Sequence, residues 1–270
     1  IKINKNKYFS YDNKPLLIAE ISGNHNGNKQ RFLKTIESAF ISGADMVKIQ
    51  TYEPSDITLN SKQRKFRINS GIWKGKYLWD LYKVAHTPYE WHFEAFKIAA
   101  KHKKILFSSP FSKRAVDFLE SHNVQLYKIA SFEITDVKLI NYIAKKNKPI
   151  IISTGMTNYH EIKTAIKEIN KFHNKIIILH CVSEYPTALK KTNLSRINEL
   201  KKNFTKSLIG VSDHTNNIYS SIATIPMGVV AIEKHFNLDM KNTVDSSFSI
   251  LPKQLKELRQ CNDDIFSSLQ

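Results

Sequence analysis

Eight short apolar segments alternate with eight amphipathic segments along this chain of 270 residues. Each apolar segment is rich in β-branched residues and ends abruptly in polar ones, which is typical of a strand buried in a parallel sheet. The predicted strands are LLIAEIS (16–22), MVKIQT (46–51), ILFSSP (105–110), LYKIAS (126–131), PIIISTG (149–155), KIIILHCVS (175–183), SLIGVSDH (207–214) and VVAIEKHF (229–236). The pattern therefore predicts a repeating unit of one strand and one helix.

The segments that follow these strands have apolar residues at helical spacing, from RFLKTIESAFISG (31–43) to LPKQLKELRQCNDDIFSSL (251–269). Parallel strands joined through helices need right-handed crossovers. Eight such units in a chain near the usual length of about 250 residues favour a closed barrel over an open sheet. We therefore predict an α/β fold, a (β/α)8 TIM barrel, that forms a single domain over residues 1–270.

Two segments are additional to the eight strand and helix units of a minimal barrel. Residues 1–15 place Asp12 and Asn13 between KYFSY and KPLLIA, which predicts a short β-hairpin that closes the bottom of the barrel. Residues 52–86 form a long aromatic and basic insertion after the second strand. Insertions at that end of a strand lie over the active-site face. The insertion is therefore either a lid or specificity element, or a helical excursion that serves packing.

The charge balance, 41 Lys and Arg against 24 Asp and Glu, gives a net charge of +17. Nucleic acid or an acidic ligand would suit such a chain. The lysines are scattered over the polar faces of predicted helices, without a basic arm or a nucleic-acid module, so we expect a solvated basic surface and no nucleic-acid partner. No segment approaches the roughly 20 apolar residues that span a bilayer, and residues 1–14 lack the features of a signal peptide. We expect a soluble cytoplasmic protein without a membrane partner.

The carboxyl ends of the predicted strands are unusually polar. In a barrel, the side chains at these ends converge on one pocket. In chain order they are Glu20, Asn24, His25, Lys48, Gln50, Ser108, Ser109, Lys128, Ser131, Glu133, Ser153, Thr154, Ser183, Tyr185, Ser212, Asp213, His214, Glu233, Lys234 and His235. We therefore expect the functional site at this face.

Lys48 and Lys128 lie inside apolar strands, where an ammonium group is costly unless it faces a charge. Two lysines among several hydroxyls describe a site for a compact anion such as a phosphate or a carboxylate. The alternative is an ion pair with Glu20 or Glu133 that merely fills the barrel interior. Both descriptions can hold in the free protein.

His214 and His235 end neighbouring strands, so their imidazoles can approach one metal ion and leave positions open for water and substrate. Asp213 and Glu233 beside them strengthen the case for a metal. The missing thiolates and third histidine argue against structural zinc, so the expected cofactor is a divalent metal, Mn or Mg. Cys181, within the sixth strand, is interpreted as a core residue.

Eight motifs occur in order through the predicted barrel: AEISGNHNG, VKIQTY, FSSPF, YKIAS, ISTGM, YPT, VSDH and EKHF. Together they resemble the sialic acid synthase family, the phosphoenolpyruvate-dependent nonulosonate synthases, from about residue 15 to the end. Three segments, TYEPSDITLNS, GIWKGKYLWDLY and AHTPYEWH, are more similar to the pseudaminic acid synthases than to the N-acetylneuraminate or legionaminic acid synthases. The resemblance implies a metal-dependent transferase of carbohydrate biosynthesis. It would condense phosphoenolpyruvate with a 2,4-diacetamido-2,4,6-trideoxy aldose and water, giving pseudaminic acid and phosphate.

The resemblance also implies roles for individual residues. Phosphoenolpyruvate would be held by Lys48, Ser109, Lys128, Ser131, Ser153 and Ser212. The sugar would be contacted by Glu20, Gln50, Tyr185 and Asp245, and Ser183 stands where some relatives carry Asn. His214 and His235 match the metal ligands, and Glu133 matches a carboxylate suited to activating the attacking water. The candidate catalytic residues are then Glu20, Lys48, Lys128 and Glu133.

Members of the family usually continue past the barrel into a small antifreeze-like domain that reaches over the active site of the partner subunit. This sequence ends at Gln270 without that domain. The resemblance therefore implies a homodimer for the longer form. Two alternative hypotheses are a Schiff-base aldolase that uses Lys128 or Lys48, and a basic nucleic-acid-binding protein without catalytic activity.

Overall fold

A computed structural model describes residues 1–270 and contains eight parallel strands that close into a barrel in chain order. The strands are β1 (Leu16–Glu20), β2 (Met46–Thr51), β3 (Ile105–Pro110), β4 (Tyr127–Ile129), β5 (Ile150–Ser153), β6 (Ile176–Cys181), β7 (Leu208–Asp213) and β8 (Ala231–His235). Pairing of β8 with β1 closes the barrel. The predicted (β/α)8 fold is confirmed, and each strand lies within its predicted segment.

Ten α-helices surround the barrel. They are α1 (Lys29–Ile41), α2 (Pro54–Ile57), α3 (Leu78–Ala85), α4 (His92–Lys101), α5 (Lys113–Ser121), α6 (Val137–Ala144), α7 (Tyr159–Asn170), α8 (Arg196–Asn203), α9 (Tyr219–Thr224) and α10 (Pro252–Ser268). Short α2 and α3 belong to the insertion, and the other eight follow the strands as predicted. None of the helices is long and apolar enough to cross a membrane.

Alternate residues of each strand face opposite sides of the barrel wall. One set, with Ile150, Ile152 and Ile178, packs outward in the large core between strands and helices. The other set, with Ile151 and Ile177, fills the lower barrel interior as a separate apolar cluster. The polar strand ends therefore stand on a closed apolar floor.

The N-terminal segment contains an antiparallel bridge between Lys2 and Tyr8. Its turn lies at Asn4, whose side-chain oxygen accepts two backbone N–H groups. The chain does turn at residues 11–13, as predicted, but this turn does not join the strands of a hairpin, because the segment after it enters β1, which pairs with β2 and β8. Phe9 is fully buried in the lower interior cluster, so this segment closes the barrel bottom as expected.

The insertion after β2 crosses the mouth of the barrel toward the loop after β8. It contains α2, an antiparallel bridge between Arg67 and Tyr77, and α3. The indole N–H of Trp73 donates to the backbone oxygen of Val244 at 3.1 Å. This contact with another loop at the mouth favours the lid or specificity element over a packing excursion.

Candidate active site

Four charged side chains meet inside the barrel, above its apolar floor. The Lys48 Nζ atom lies 3.2 Å from a carboxylate oxygen of Glu20 and 3.3 Å from one of Glu233. The Lys128 Nζ atom lies 3.8 Å from the same Glu233 oxygen. All four residues are buried. Sequence reasoning offered Glu20 or Glu133 as partners of the lysines, but the ion pairs use Glu20 and Glu233, and neither lysine pairs with Glu133.

Burial and charge set the protonation of this cluster. Burial raises the pKa of Glu20 to about 7, although Lys48 opposes that shift. Burial also raises the pKa of Glu233, but the two lysines outweigh it and lower that pKa to about 2. Burial lowers the pKa of Lys128 to about 8, whereas the carboxylates beside Lys48 outweigh burial and raise its pKa. Near neutral pH the two ammonium groups thus exceed the negative charge beside them, which suits an anionic ligand.

Several hydroxyl groups surround the lysines without a hydrogen-bond partner. The Oγ atoms of Ser109, Ser153 and Ser183 are buried and unpaired. Ser131 Oγ accepts the backbone N–H of Gly155 at 3.1 Å. Buried polar atoms are normally paired, so a group of unpaired donors beside two lysines indicates a ligand site.

Gly155 allows the loop after β5 to approach the serine hydroxyls of Ser131 and Ser183 closely. A Cβ atom at Gly155 would lie 2.1 Å from Ser183 Oγ and 3.0 Å from Ser131 Oγ. Real Cβ atoms do not come that close to another heavy atom, so any larger residue would displace the loop or the serines. Glycine is therefore required here for packing and not for its backbone conformation.

Glu133 ends the short 3-10 helix Ser131–Glu133 after β4. Its Oε2 atom is buried without a partner. Burial raises the pKa of this carboxyl to about 7. A carboxyl group poised near neutrality is suited to accept or donate a proton at physiological pH.

The two histidines stand beside each other at the ends of β7 and β8, with ring centroids 5.3 Å apart. His214 Nδ1 lies 2.8 Å from the backbone oxygen of Val182. Because a carbonyl can only accept, Nδ1 carries the proton and the lone pair is on Nε2. His235 Nδ1 is buried without a hydrogen bond, and burial lowers the pKa of His235 well below its usual value. His235 therefore offers a neutral nitrogen of the kind that binds metals, and Nε2 is the ring nitrogen of His214 that is left for the same role.

The protein side chains alone do not complete a metal site. No group of three or more His, Cys, Asp or Glu side chains converges closely enough to hold an ion. Asp213, which was expected beside the histidines, faces outward and pairs with Lys234 at 3.1 Å. That expectation was wrong because alternate side chains face opposite sides of a strand, and His214 and His235 face inward. The residues fit an ion held by two imidazoles, with water and substrate as the other ligands.

Four other strand-end residues serve the scaffold. Ser108 Oγ donates to the backbone oxygen of Ile49 at 3.1 Å, and Thr154 Oγ1 donates to that of Leu179 at 3.2 Å. His25 packs edge-on against Phe32 and Trp91. Asn24 bonds to the loop after β8. The rule that strand ends converge on one pocket therefore predicts too many site residues, because it does not consider which way each side chain faces.

Two of the four side chains expected to contact a sugar, Tyr185 and Asp245, lie beside the histidines, whereas Glu20 and Gln50 lie beside Lys48. Gln50 Nε2 donates to Glu20 Oε1 at 3.1 Å. The Tyr185 ring lies 4.4 Å from the His214 ring. Asp245 is buried in the loop after β8, with a carboxylate oxygen 3.8 Å from His235 Nδ1. The pocket thus has a cationic side and a second side lined by Tyr185, the two histidines and the Asp245 carboxylate.

Three residues of the pocket were missed as site residues, and a fourth, Glu233, was expected beside the metal but pairs with the two lysines. Glu233 shares the inward face with His235, and that spacing of two residues was the available signal. Phe248 lies 4.7 Å from the His235 ring, and Trp73 lies 5.8 Å from the Tyr185 ring. Both come from loops, where no periodicity marks direction. Cys181 is buried as expected, but its thiol lies 3.9 Å from His214 Nδ1, so it lines the pocket.

Comparison with known proteins agrees with this geometry. The NeuB family model matches residues 35–270. The chain is 41% identical over 244 residues to the pseudaminic acid synthase of Campylobacter jejuni, covering 90% of this chain and 71% of that protein. It is 37% identical over 250 residues to the N,N'-diacetyllegionaminic acid synthase of the same organism, covering 91% of this chain and 74% of that protein.

Among solved structures, the N-acetylneuraminic acid (sialic acid) synthetase from Leptospira borgpetersenii in complex with citrate superposes with a TM-score of 0.89. The two share 27% identity over 98% of this chain and 88% of that one. The fold, the ordered motifs and the family match all agree. The chain belongs to the NeuB family, the sialic acid synthase family that its motifs predicted.

Proposed function

We propose that the protein condenses phosphoenolpyruvate with a 2,4-diacetamido-2,4,6-trideoxy aldose and water to give pseudaminic acid and phosphate. The observation that carries the proposal is a pocket with two buried lysines beside two histidines, in a chain 41% identical to a pseudaminic acid synthase. A small polyanion and a polar sugar need these two kinds of surface side by side.

Phosphoenolpyruvate would occupy the cationic side. Lys48 and Lys128 supply positive charge for its phosphate and carboxylate groups. Ser109, Ser131, Ser153 and Ser212 supply directional hydroxyl donors. Ser212 already donates to Glu233 at 2.9 Å in the ligand-free protein, so its hydroxyl must turn toward the ligand.

His214 and His235 would hold a divalent metal, Mn or Mg, together with water or substrate oxygens. Such an ion, when bound, polarises a carbonyl oxygen as a Lewis acid. The neutral His235 and the Nδ1 hydrogen bond of His214 support this assignment. The other protein groups bind the reactants and move protons.

The reaction joins the enol carbon of phosphoenolpyruvate to the aldehyde carbon of the open-chain sugar. The aldehyde oxygen becomes a hydroxyl on taking a proton, and Glu20, with a pKa of about 7, can carry that proton. Water then adds to the cationic carbon that bears the phosphate, and Glu133 accepts a proton from it. Phosphate then leaves with the electron pair of the carbon-oxygen bond and takes up the proton of the new hydroxyl on the same carbon, which generates the 2-keto group.

The sugar would lie against Gln50, Tyr185 and Asp245, with Ser183 beside the shared boundary of the two substrates. The alternative within the family is an N-acetylneuraminate or legionaminic acid synthase. The higher identity to the pseudaminic acid synthase supports the diacetamido trideoxy sugar. Only the sugar differs between these reactions, so comparison of sugar substrates separates them.

The test is incubation with phosphoenolpyruvate, Mn and 2,4-diacetamido-2,4,6-trideoxyaltrose, with phosphate release and product mass as readouts. We expect phosphate release that depends on this sugar. The sugars of the other two synthase classes serve as comparison substrates, and Lys48→Met serves as the inactive control. Faster turnover of another sugar would replace the proposed substrate, and no turnover of any sugar by a full-length form would refute the synthase reaction.

One observation favours the Schiff-base aldolase as a second candidate. The pKa of Lys128 is lowered by burial to about 8, which leaves part of its amine neutral and nucleophilic. Lys48 does not share this property, because Glu20 and Glu233 hold it as an ammonium ion. Borohydride reduction in the presence of pyruvate would trap an aldolase at Lys128, and we expect no adduct.

The proposal also includes the wider setting of the enzyme. The matched pseudaminic acid synthase is longer than the matched region, since this chain covers 71% of it. A C-terminal antifreeze-like domain and a homodimer are proposed from the resemblance. Phosphoenolpyruvate is a cytoplasmic metabolite, which supports a cytoplasmic location, and no nucleic-acid or membrane partner is proposed.

A further inference from the structure

The loop after β8, residues 236–249, brings Asp245 and Phe248 into the pocket. Only the short 3-10 helix Ser246–Phe248 gives it regular structure. A loop of this length needs fixed contacts to hold a carboxylate in one place. Those contacts come from the turn that follows β1.

Asn24, in that turn, is fully buried and bonds to three separate parts of the loop. Its Nδ2 group donates to the backbone oxygen of Phe236 at 2.9 Å and to Ser249 Oγ at 2.9 Å. Its Oδ1 atom accepts the hydroxyl of Thr243 at 2.6 Å. One amide side chain thus ties together the beginning, the middle and the end of the loop.

Asp245 lies inside this set of contacts. Ser249 Oγ, which accepts from Asn24, donates in turn to the backbone oxygen of Asp245 at 2.7 Å. The backbone N–H of Gly23, the neighbour of Asn24, donates to the Asp245 carboxylate at 3.3 Å. The turn after β1 therefore holds both the backbone and the carboxylate of Asp245.

The turn after β1 is closely packed, so the contacts between it and the β8 loop have little room to shift. A Cβ atom at Gly23 would lie 3.0 Å from the Cβ atoms of both Ala85 and Val244. The insertion, the β1 turn and the β8 loop therefore meet at one tight junction. Loss of the Asn24 amide would leave the Phe236 oxygen, Ser249 and Thr243 without this shared partner in a buried place, and the loop would have to move to satisfy them.

We infer that Asn24 is a positioning residue for the sugar-binding side of the pocket, acting through Asp245. This inference rests on the proposed function, in which Asp245 contacts the sugar and the lysines hold phosphoenolpyruvate. Asn24 touches neither substrate. Loss of the Asn24 side chain should therefore change KM for the sugar and not KM for phosphoenolpyruvate, because the loop that Asn24 holds borders only the sugar.

The experiment compares Asn24→Ala with Asn262→Ala. Asn262 is a matched control because it is also fully buried and donates through Nδ2 to a backbone oxygen, that of Pro15, at 2.9 Å. Pro15 precedes β1, at the end of the barrel opposite the pocket. Both variants lose a buried amide, but only one loses a contact with the β8 loop.

We expect Asn24→Ala to raise KM for the sugar about tenfold or more, the change that a lost interaction of about 1.4 kcal/mol produces. KM for phosphoenolpyruvate should change less than about twofold. Asn262→Ala should leave both KM values unchanged. Added to Asp245→Asn, the Asn24→Ala change should have little further effect on the sugar KM, because both act through one carboxylate.

Equal increases in both KM values, no increase in either, or full additivity with Asp245→Asn would overturn the inference. If Asn24→Ala does not fold, Thr243→Val removes one of the three contacts and should give a smaller change in the same direction. Hydrogen exchange separates this inference from the proposed function. Faster exchange in residues 236–249 of Asn24→Ala, but not of Asn262→Ala, supports the positioning role even if no sugar is turned over, whereas unchanged exchange refutes it.

Discussion

The Lys48 ammonium lies 3.3 Å from the Glu233 carboxylate in the interior of the barrel. Glu233 is also the nearest carboxylate to Lys128, at 3.8 Å. Removal of one member of a buried ion network leaves the remaining charges uncompensated and costs on the order of 3 kcal/mol. Glu233 therefore holds the two cations in place while no ligand is bound.

Glu233→Gln should lower the thermal unfolding temperature and increase the stabilisation that phosphoenolpyruvate provides. The added anion supplies the negative charge that the variant lacks. Thermal unfolding with and without phosphoenolpyruvate measures both effects. Glu94→Gln, in an exposed pair with Lys29, is the control and should change little. An equal shift with phosphoenolpyruvate in wild type and Glu233→Gln would contradict the explanation.

Glu133 makes stability depend on pH. Its pKa in the folded protein is about 7, above the ordinary value of 4.5, because the carboxyl is buried. Between these pH values the folded state binds more protons than the unfolded state, so stability falls as pH rises and the loss is complete above about 7. Glu133→Gln lacks this titration and should gain stability relative to wild type, on the order of 3 kcal/mol between pH 4.5 and pH 8.

Urea unfolding at pH 5 and pH 8 checks this difference. The same variant should lose activity while it gains stability, because the proposed role of Glu133 in activating water requires an ionised carboxylate. Glu133→Gln should lower kcat by about 10² or more. A constant stability difference between the two pH values would show that Glu133 is not desolvated in the folded protein.

Gly155→Ala should weaken phosphoenolpyruvate binding through a steric effect. The added Cβ atom would lie 2.1 Å from Ser183 Oγ, so the loop or the serines must move. Gly155→Ala combined with Ser183→Ala removes the clashing hydroxyl and should recover part of the affinity. Phosphoenolpyruvate titration by calorimetry gives the comparison. If the double variant binds no better than Gly155→Ala, the contact with Ser183 is not the cause.

Metal removal should abolish activity without unfolding the protein. Two imidazoles with water and substrate bind an ion less firmly than a closed four-ligand site, so an ion held there would contribute to chemistry more than to the fold. We expect a chelator to stop phosphate release, Mn to restore it, and the unfolding temperature to change little. Calorimetric titration of His214→Ala and His235→Ala with Mn should show lost binding, and unchanged Mn affinity would refute these ligands.

Much of the candidate site follows from the strand pattern. Glu20, Lys48 and Lys128 could be placed in the barrel because each lies near or within the polar end of an apolar strand. The same rule placed Asp213 in the pocket, although it pairs with Lys234 on the outer face. A strand-end position does not decide which side of the wall a side chain faces, and for the same reason Glu233 was expected beside the metal although it pairs with the two lysines.

The loop residues could not be found from local sequence. Asp245 came from family resemblance, and Trp73 and Phe248 carry no periodic signal. Trp73 meets Val244 across 171 positions of sequence, and that contact depends on how two loops pack over the closed barrel. Similar long-range packing decides the role of Asn24, whose partners lie more than 200 positions away.

The sequence by itself determined the barrel, because alternating buried strands and amphipathic helices have few ways to hide their apolar faces in a chain of this length. It also determined that the polar strand ends lie at one face. Tertiary structure alone decided which of those side chains meet, since inward and outward directions depend on the phase of each strand in the closed sheet. It also decided how the loops cover the pocket, because those contacts join segments that only folding brings together.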